Sequence, residues 1–205
     1  NNSLAKYGGD LAVGAMTIIS SVMQIILLPM MGLTQGAQPI MSFNYGAGQL
    51  DRVRKTFKLL IICCFTYATI MCVSIIAFPQ IYVSIFNSNP ELVSITAWSM
   101  RIYFAGIFMF GAQIACQQTF LALGQAKISM ILALLRKIIL LIPLIFILPM
   151  FIENKLQGVL MAEPVADVLA AITTLVCFIV FYKNTLSVNH LGQVNVEIAK
   201  TKAEE

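Results

Sequence analysis

The sequence predicts an all-α fold: a polytopic membrane helix bundle of about five transmembrane helices, followed by a polar tail. Three observations carry that reading. Of 205 residues, 59% are hydrophobic and 11% charged, with a mean hydropathy of +0.87, whereas a soluble domain carries about 25% charged residues. The charges are also unevenly placed, since residues 11–50, 59–90 and 102–126 contain none. Each run exceeds the roughly 20 residues a helix needs to cross a bilayer. The basic residues, finally, gather in alternate connections, as the positive-inside rule requires of a multi-span chain.

The bundle is expected over residues 1–183, with residues 1–9 reading as a loop. Its first span runs from about residue 11 to 39 and is punctuated by Pro29 and Gly32. The second covers about 59–81 and the third about 94–123. The fourth, about 128–150, contains Pro143 and Pro149, and the fifth, about 156–182, has Pro164 near its start. Such breakers survive in lipid where neighbouring helices or a wet cavity satisfy the freed carbonyls. They read either as ordinary kinks or as hinges. From residue 184 to 205 the chain turns polar and reads as a cytoplasmic tail.

Orientation follows from Lys and Arg. The connection after span one holds Arg52, Arg54, Lys55 and Lys58; the next on that side holds Lys127, with Arg136 and Lys137 further on; the tail holds Lys183, Lys200 and Lys202. Five crossings put all three regions on one side, with ten of the thirteen basic residues. That side is the cytoplasm, and the N-terminus faces outside.

Polar residues in a lipid solvent are the best guide to function. Glu163 and Asp167 stand at i,i+4 on one face of span five. The uncharged stretch from Val168 to Tyr182 has 15 residues, about 22 Å of helix at 1.5 Å per residue, and the hydrocarbon core is about 30 Å thick. The span must therefore draw on upstream residues, which places Asp167 inside and Glu163 near the outer edge. Two ionised carboxylates so close would repel, so one holds a proton or a cation sits between them. The pair is the candidate for cation coupling; a structural carboxylate capped by interhelical hydrogen bonds is the alternative.

Arg101 is dispensable to span three and is expected to snorkel at the outer interface. Residues 138–152 are too short to cross alone, so Arg136, Lys137 or both dip inward. Snorkelling to the cytoplasmic interface is the simpler expectation for Arg136, with the bundle interior as its alternative. Gln35 and Gln38 near the end of span one, Asn44 beyond it, and Gln113 and Gln117 on one face of span three beside Gln118 complete the set. They read as cavity-lining candidates or as interhelical glue, worth about 0.6 kcal/mol per bond. The eleven Met and thirteen Phe line an adaptable pocket or simply pack.

Other classes are poorly supported. Cys63, Cys64, Cys72, Cys116 and Cys177 all lie in apolar runs and have no metal-ligand spacing with the one histidine, His190; no metal site and no cofactor is expected. The net charge of +4 is explained by membrane topology rather than by nucleic acid. There is no Walker loop, hence no sign of ATP, and no nucleophile–base set for a membrane enzyme.

The stretch Gly32-Leu-Thr-Gln-Gly-Ala-Gln-Pro-Ile40, followed by Asn44-Tyr-Gly-Ala47 and Arg52, resembles the multidrug and toxic compound extrusion family. Residues 86–91, the run Phe120-Leu-Ala-Leu-Gly-Gln-Ala-Lys127, Leu134-Leu-Arg-Lys137, Gly158 and Pro164-Val-Ala-Asp167 resemble later parts of it in the right order. The resemblance implies twelve helices in two six-helix lobes of the inner (cytoplasmic) membrane. It implies export of drugs and organic cations in exchange for H⁺ or Na⁺, with this chain as the C-terminal lobe lacking its first helix. The N-terminal lobe and membrane lipid are then its partners, and the coupling ion replaces any cofactor. One branch of the family places a cation site on acidic residues of its seventh and tenth helices. Span three here has no carboxylate, so that site does not carry over. A second branch, which this sequence resembles more, relies on an aspartate in the N-terminal lobe. Asp167 matches a family position, one whose role in the family is less settled than that of the N-terminal aspartate. A lipid-linked oligosaccharide flippase of the same superfamily is the alternative; it calls for a strongly cationic cavity, to which this chain brings at most Arg101 and Arg136.

Overall fold

In a computed structural model, backbone is described for residues 2–186 and side chains from Gly9 onward. The predicted tail thus lies outside the described residues apart from its first three. Among the described residues eight α-helices run in order: α1 (Asn2–Gly46), α2 (Leu50–Ala77), α3 (Pro79–Ser84), α4 (Pro90–Tyr103), α5 (Ile107–Ala122), α6 (Ala126–Leu134), α7 (Ile142–Phe151) and α8 (Lys155–Phe181). They assemble into five helical stretches long and apolar enough to cross a membrane: Gly9–Gly46, Leu50–Ala77, Pro90–Ala122, Ala126–Phe151 and Lys155–Leu186.

Each stretch departs from its sequence outline for a local reason. The segment ahead of Asp10 is not a loop: α1 begins at Asn2 and kinks at Gly9, whose φ of 63° is open to glycine. Pro29 and Pro39 lie inside α1 without ending it. The second span starts at Leu50, so its basic first turns are helical, and it stops at Ala77 because Pro79 opens the short α3. Asn89 caps α4 by accepting from the Glu91 amide at 3.0 Å. The third span narrows to a 3₁₀ turn at Phe104–Gly106. The fourth widens to a π-helical segment, Leu135–Leu141, between α6 and α7. Asn154 caps α8 through the Gln157 amide, and the chain leaves α8 through a second π turn, Tyr182–Leu186.

Close contacts fix how the spans are threaded. Gly14 meets Leu92, and Ser42 Oγ donates to the Ala122 carbonyl at 2.8 Å, so α1 runs parallel to the α4–α5 stretch. A Cβ on Gly111 would fall 2.5 Å from the Cys64 carbonyl oxygen, and the Cys72 thiol points at the Phe104 carbonyl, so α2 runs antiparallel to α5. Gly106 lies against Pro164 and Phe120 against Phe178, fourteen residues on along each helix, so α5 and α8 run parallel and in register. Gly158 against Pro149 makes α7 antiparallel to α8. Odd spans point one way and even spans the other, as consecutive membrane crossings require.

The largest core cluster joins α1, α2, α4 and α5 around Ile19, Ile26, Met30, Ile75, Met100 and Phe104. A second, aromatic one packs Phe120 and Phe178 near the far end of α5 and α8. The outward faces are greasy: Ile25, Leu28, Phe43, Ile85, Phe146, Met150 and Phe151 are all exposed. Large apolar side chains on so many outer faces suit a lipid solvent, where burying them against protein brings no hydrophobic gain.

Candidate functional site

The fourth span is the most peripheral of the five. Among its described residues only Ser129, Leu132, Arg136 and Pro149 are buried. One of those four is the arginine. Arg136 was expected to snorkel to the cytoplasmic interface; it turns inward instead, against α8. The cause is local. Pro143 has no N–H for the carbonyl of Ile139, and its ring crowds that carbonyl. The helix takes up the mismatch as the wider π segment, a form concentrated at functional sites.

The guanidinium reaches two carboxylates on α8. Arg136 Nε donates to Asp167 Oδ1 at 2.5 Å, and Nη2 lies 2.5 Å from the same oxygen. Nη2 also donates to Glu163 Oε1 at 3.1 Å. Lys137 Nζ approaches that Glu163 oxygen at 3.4 Å from the exposed side. The guanidinium carbon stands 4.2 Å from the Phe110 ring centre, so α5 closes the cluster with a cation–π contact. Asp167 is 3% and Arg136 9% exposed; Glu163 is half-buried. The position is deep: Asp167 is twelve residues along α8, about 18 Å from its start at Lys155, near the middle of a helix about 40 Å long.

This answers the electrostatic question that the Glu163–Asp167 spacing poses. The cation between the two carboxylates is the chain's own arginine. Two carboxylates and two cations, Arg136 and Lys137, form a neutral cluster. A neutral, hydrogen-bonded group is the form in which charge survives at such depth, because an unpaired ion there carries a desolvation penalty of several kcal/mol.

The amides separate into two kinds. Gln113, one turn along α5 from Phe110, is fully buried, and neither of its amide atoms has a hydrogen-bond partner among the described residues. The Nε2 of Gln117, half-buried, and the Oγ1 of buried Thr174 on α8 are also without partners there. With α5 and α8 in register, these atoms follow Asp167 along the same interface toward Phe120 and Phe178. Gln35 is exposed and Gln38 half-buried on α1. Asn44 is buried and donates to the Ile40 carbonyl at 2.7 Å, a bond within its own helix. None of these three is hydrogen-bonded or ion-paired to the cluster. Arg101 is exposed, as a snorkelling side chain requires.

Sequence reasoning missed Phe110 and Lys137 as members of the cluster. The signal available for the arginine was Pro143, whose clash with the preceding turn marks the place where the helix must slip. On another face of α8, Met161, Pro164, Val165, Val168 and Leu169 join Ile102, Ala105, Gly106 and Gln157 around an apolar cleft of about 480 Å³. Pro164 is thus shared: its helix carries the charge cluster on one side and the cleft on another.

The sequence model of the MatE family matches residues 2–147. Multidrug export protein MepA of Staphylococcus haemolyticus is 26% identical over 199 residues, covering 96% of this chain and 42% of that protein. The FAD transporter of Shewanella oneidensis is 25% identical over 161 residues, 78% of this chain and 34% of that one. Among solved structures, the MATE multidrug transporter DinF-BH, solved in complex with a ligand, superposes with a TM-score of 0.75 at 34% identity, over 89% of this chain and 40% of its own length. A MOP-superfamily transporter from Pyrococcus furiosus superposes with a TM-score of 0.81 at 14% identity, a likeness of fold. The chain therefore spans about two fifths of the length of the proteins it matches. Ordered motifs, five crossings and a family match over most of its length make this chain a member of the MatE family, the multidrug and toxic compound extrusion transporters.

Proposed function

We propose that this chain is part of the C-terminal lobe of an ion-coupled exporter of drugs or organic cations, and that the Arg136–Asp167–Glu163 cluster is its charge-responsive element. The observation that carries the reading is a buried arginine on a π-helical segment, ion-paired with two acidic groups on a helix long enough to cross a membrane. The MepA and DinF-BH relatives are named for multidrug export and transport, which favours that cargo class.

Coupling then rests on competition. A proton on Asp167, or a Na⁺ or organic cation at Glu163, offsets the carboxylate charge that holds the guanidinium. Arg136 loses its anchor to α8, and the π segment is free to re-register against it. Two packings of one interface, biased by an ion, are what alternating access between two lobes requires. The apolar cleft on the far side of Pro164 is placed to feel such a shift. The chain's positive loops face the cytoplasm and its N-terminus the exterior, in the inner membrane.

The flippase alternative calls for uncompensated cationic charge in the cavity. Here Arg136 is spent on Asp167 and Glu163, and Arg101 sits on an exposed surface. Both facts weigh toward the exporter.

The test is Asp167→Asn in the complete protein. Export of a fluorescent organic cation from energised cells is expected to fall at least tenfold while membrane expression persists. Undiminished export across several external pH values refutes a coupling role for the cluster.

A further inference from the structure

A second charged feature lies at one end of the bundle, away from the cluster. The first turns of α2 carry Arg54, Lys55 and Lys58. Between them Phe57 and Ile61, one turn apart on the same helix, form an apolar floor, and Tyr182 at the end of α8 forms a wall. These six residues enclose an open groove of about 300 Å³. The floor is firmly held: Phe57 stacks on Phe178 with ring centres 4.4 Å apart and lies 6.4 Å from Tyr182.

The cations around it are under-compensated. Lys55 and Lys58 are exposed, and neither makes an ion pair among the described residues. Arg54 gives Nη2 to Asp51 at 2.6 Å, while its Nε is buried with no partner there. Three cations thus face one carboxylate, and Asp51 is itself 83% exposed. The groove also sits at a defined depth. Lys58 is the last charge before the uncharged residues 59–90, so its rim lies at the water boundary and its floor enters the hydrocarbon.

We propose that this groove binds an anionic phospholipid, with the phosphate at Arg54, Lys55 and Lys58 and the start of an acyl chain over Phe57, Ile61 and Tyr182. The chemistry selects the ligand. A soluble anion satisfies the rim and leaves the aromatic floor wet; a zwitterionic lipid fills the floor and brings its own cation to a cationic rim. An anionic lipid satisfies both, and basic pockets between spans at the membrane surface are the usual seat of such headgroups. Because the groove is walled by both α2 and α8, the lipid would tie the second span to the end of the fifth.

The experiment uses the complete transporter in nanodiscs holding equal phosphatidylglycerol and phosphatidylcholine, read by native mass spectrometry. The native protein is expected to retain phosphatidylglycerol preferentially. Neutralising the rim as R54Q/K55Q/K58Q should weaken retention about fivefold per charge, on the order of a hundredfold together. Should the triple variant not fold, Lys55→Gln and Lys58→Gln, both at exposed positions, are each expected to show the fivefold loss. Equal retention by native and neutralised protein overturns the proposal. So does displacement of the lipid by inorganic phosphate, which assigns a soluble anion. Removing residues 187–205, which carry Glu197, Glu204 and Glu205, is expected to leave retention unchanged. If the lipid is retained only after that removal, the groove is the seat of the acidic tail and the proposal fails.

Discussion

Charge balance in the Arg136 cluster can be tested by removing one charge, then its opposite. In Asp167→Asn the guanidinium keeps its 3.1 Å contact with Glu163, and the new amide oxygen still accepts from Nε. The loss lies at the low end of the cost of breaking a buried pair, about 3 kcal/mol. Arg136→Met is worse. It strands Asp167, 3% exposed, one helical turn from Glu163, with Lys137 as the remaining counter-charge at 3.4 Å from Glu163 alone. The high end, about 5 kcal/mol, is expected. The double variant removes one charge of each sign. Glu163 keeps Lys137, and a methionine packs on Phe110 in place of the guanidinium, a contact sulfur makes well. Its cost is expected to be about 1–2 kcal/mol, less than either single change, which makes the coupling about 6 kcal/mol. The measurement is equilibrium unfolding of the purified complete transporter in SDS–detergent mixtures. If the two single costs add in the double variant to within about 0.5 kcal/mol, the side chains do not act as a unit and the cluster argument is wrong.

Three further outcomes follow from the packing. Gly111→Ala puts a methyl 2.5 Å from the Cys64 carbonyl oxygen and 2.7 Å from the Ala68 methyl; α2 and α5 must part, at a cost of about 1–3 kcal/mol. An unchanged thermal midpoint would contradict the close approach. Gln113→Leu removes a buried amide that has no partner among the described residues and is expected to be neutral or stabilising by up to about 1 kcal/mol; a loss above about 2 kcal/mol means the amide is bonded to something. In a cysteine-free background, an impermeant maleimide added outside intact cells should label Glu153→Cys and spare Lys183→Cys, both exposed positions; the reverse pattern inverts the proposed topology.

The sequence by itself determined the solvent, the number of spans and the place of Asp167 within the last of them. These depend on sums along the chain: how many apolar residues run without a charge, and how far 15 uncharged residues can reach. It did not determine which way Arg136 turns, that Phe110 lies under it, or that Gln113 is buried without a partner among the described residues. Those facts depend on the rotation of each helix about its own axis and on the register between segments some thirty residues apart. In a soluble protein an apolar stripe reveals that rotation. In lipid it does not, because the side facing a neighbouring helix and the side facing acyl chains are equally apolar. The fourth span is the clearest case, since nearly all of its surface is greasy. Pro143, the π segment and the carboxylates of α8 set its orientation, and they do so only once the helices are packed.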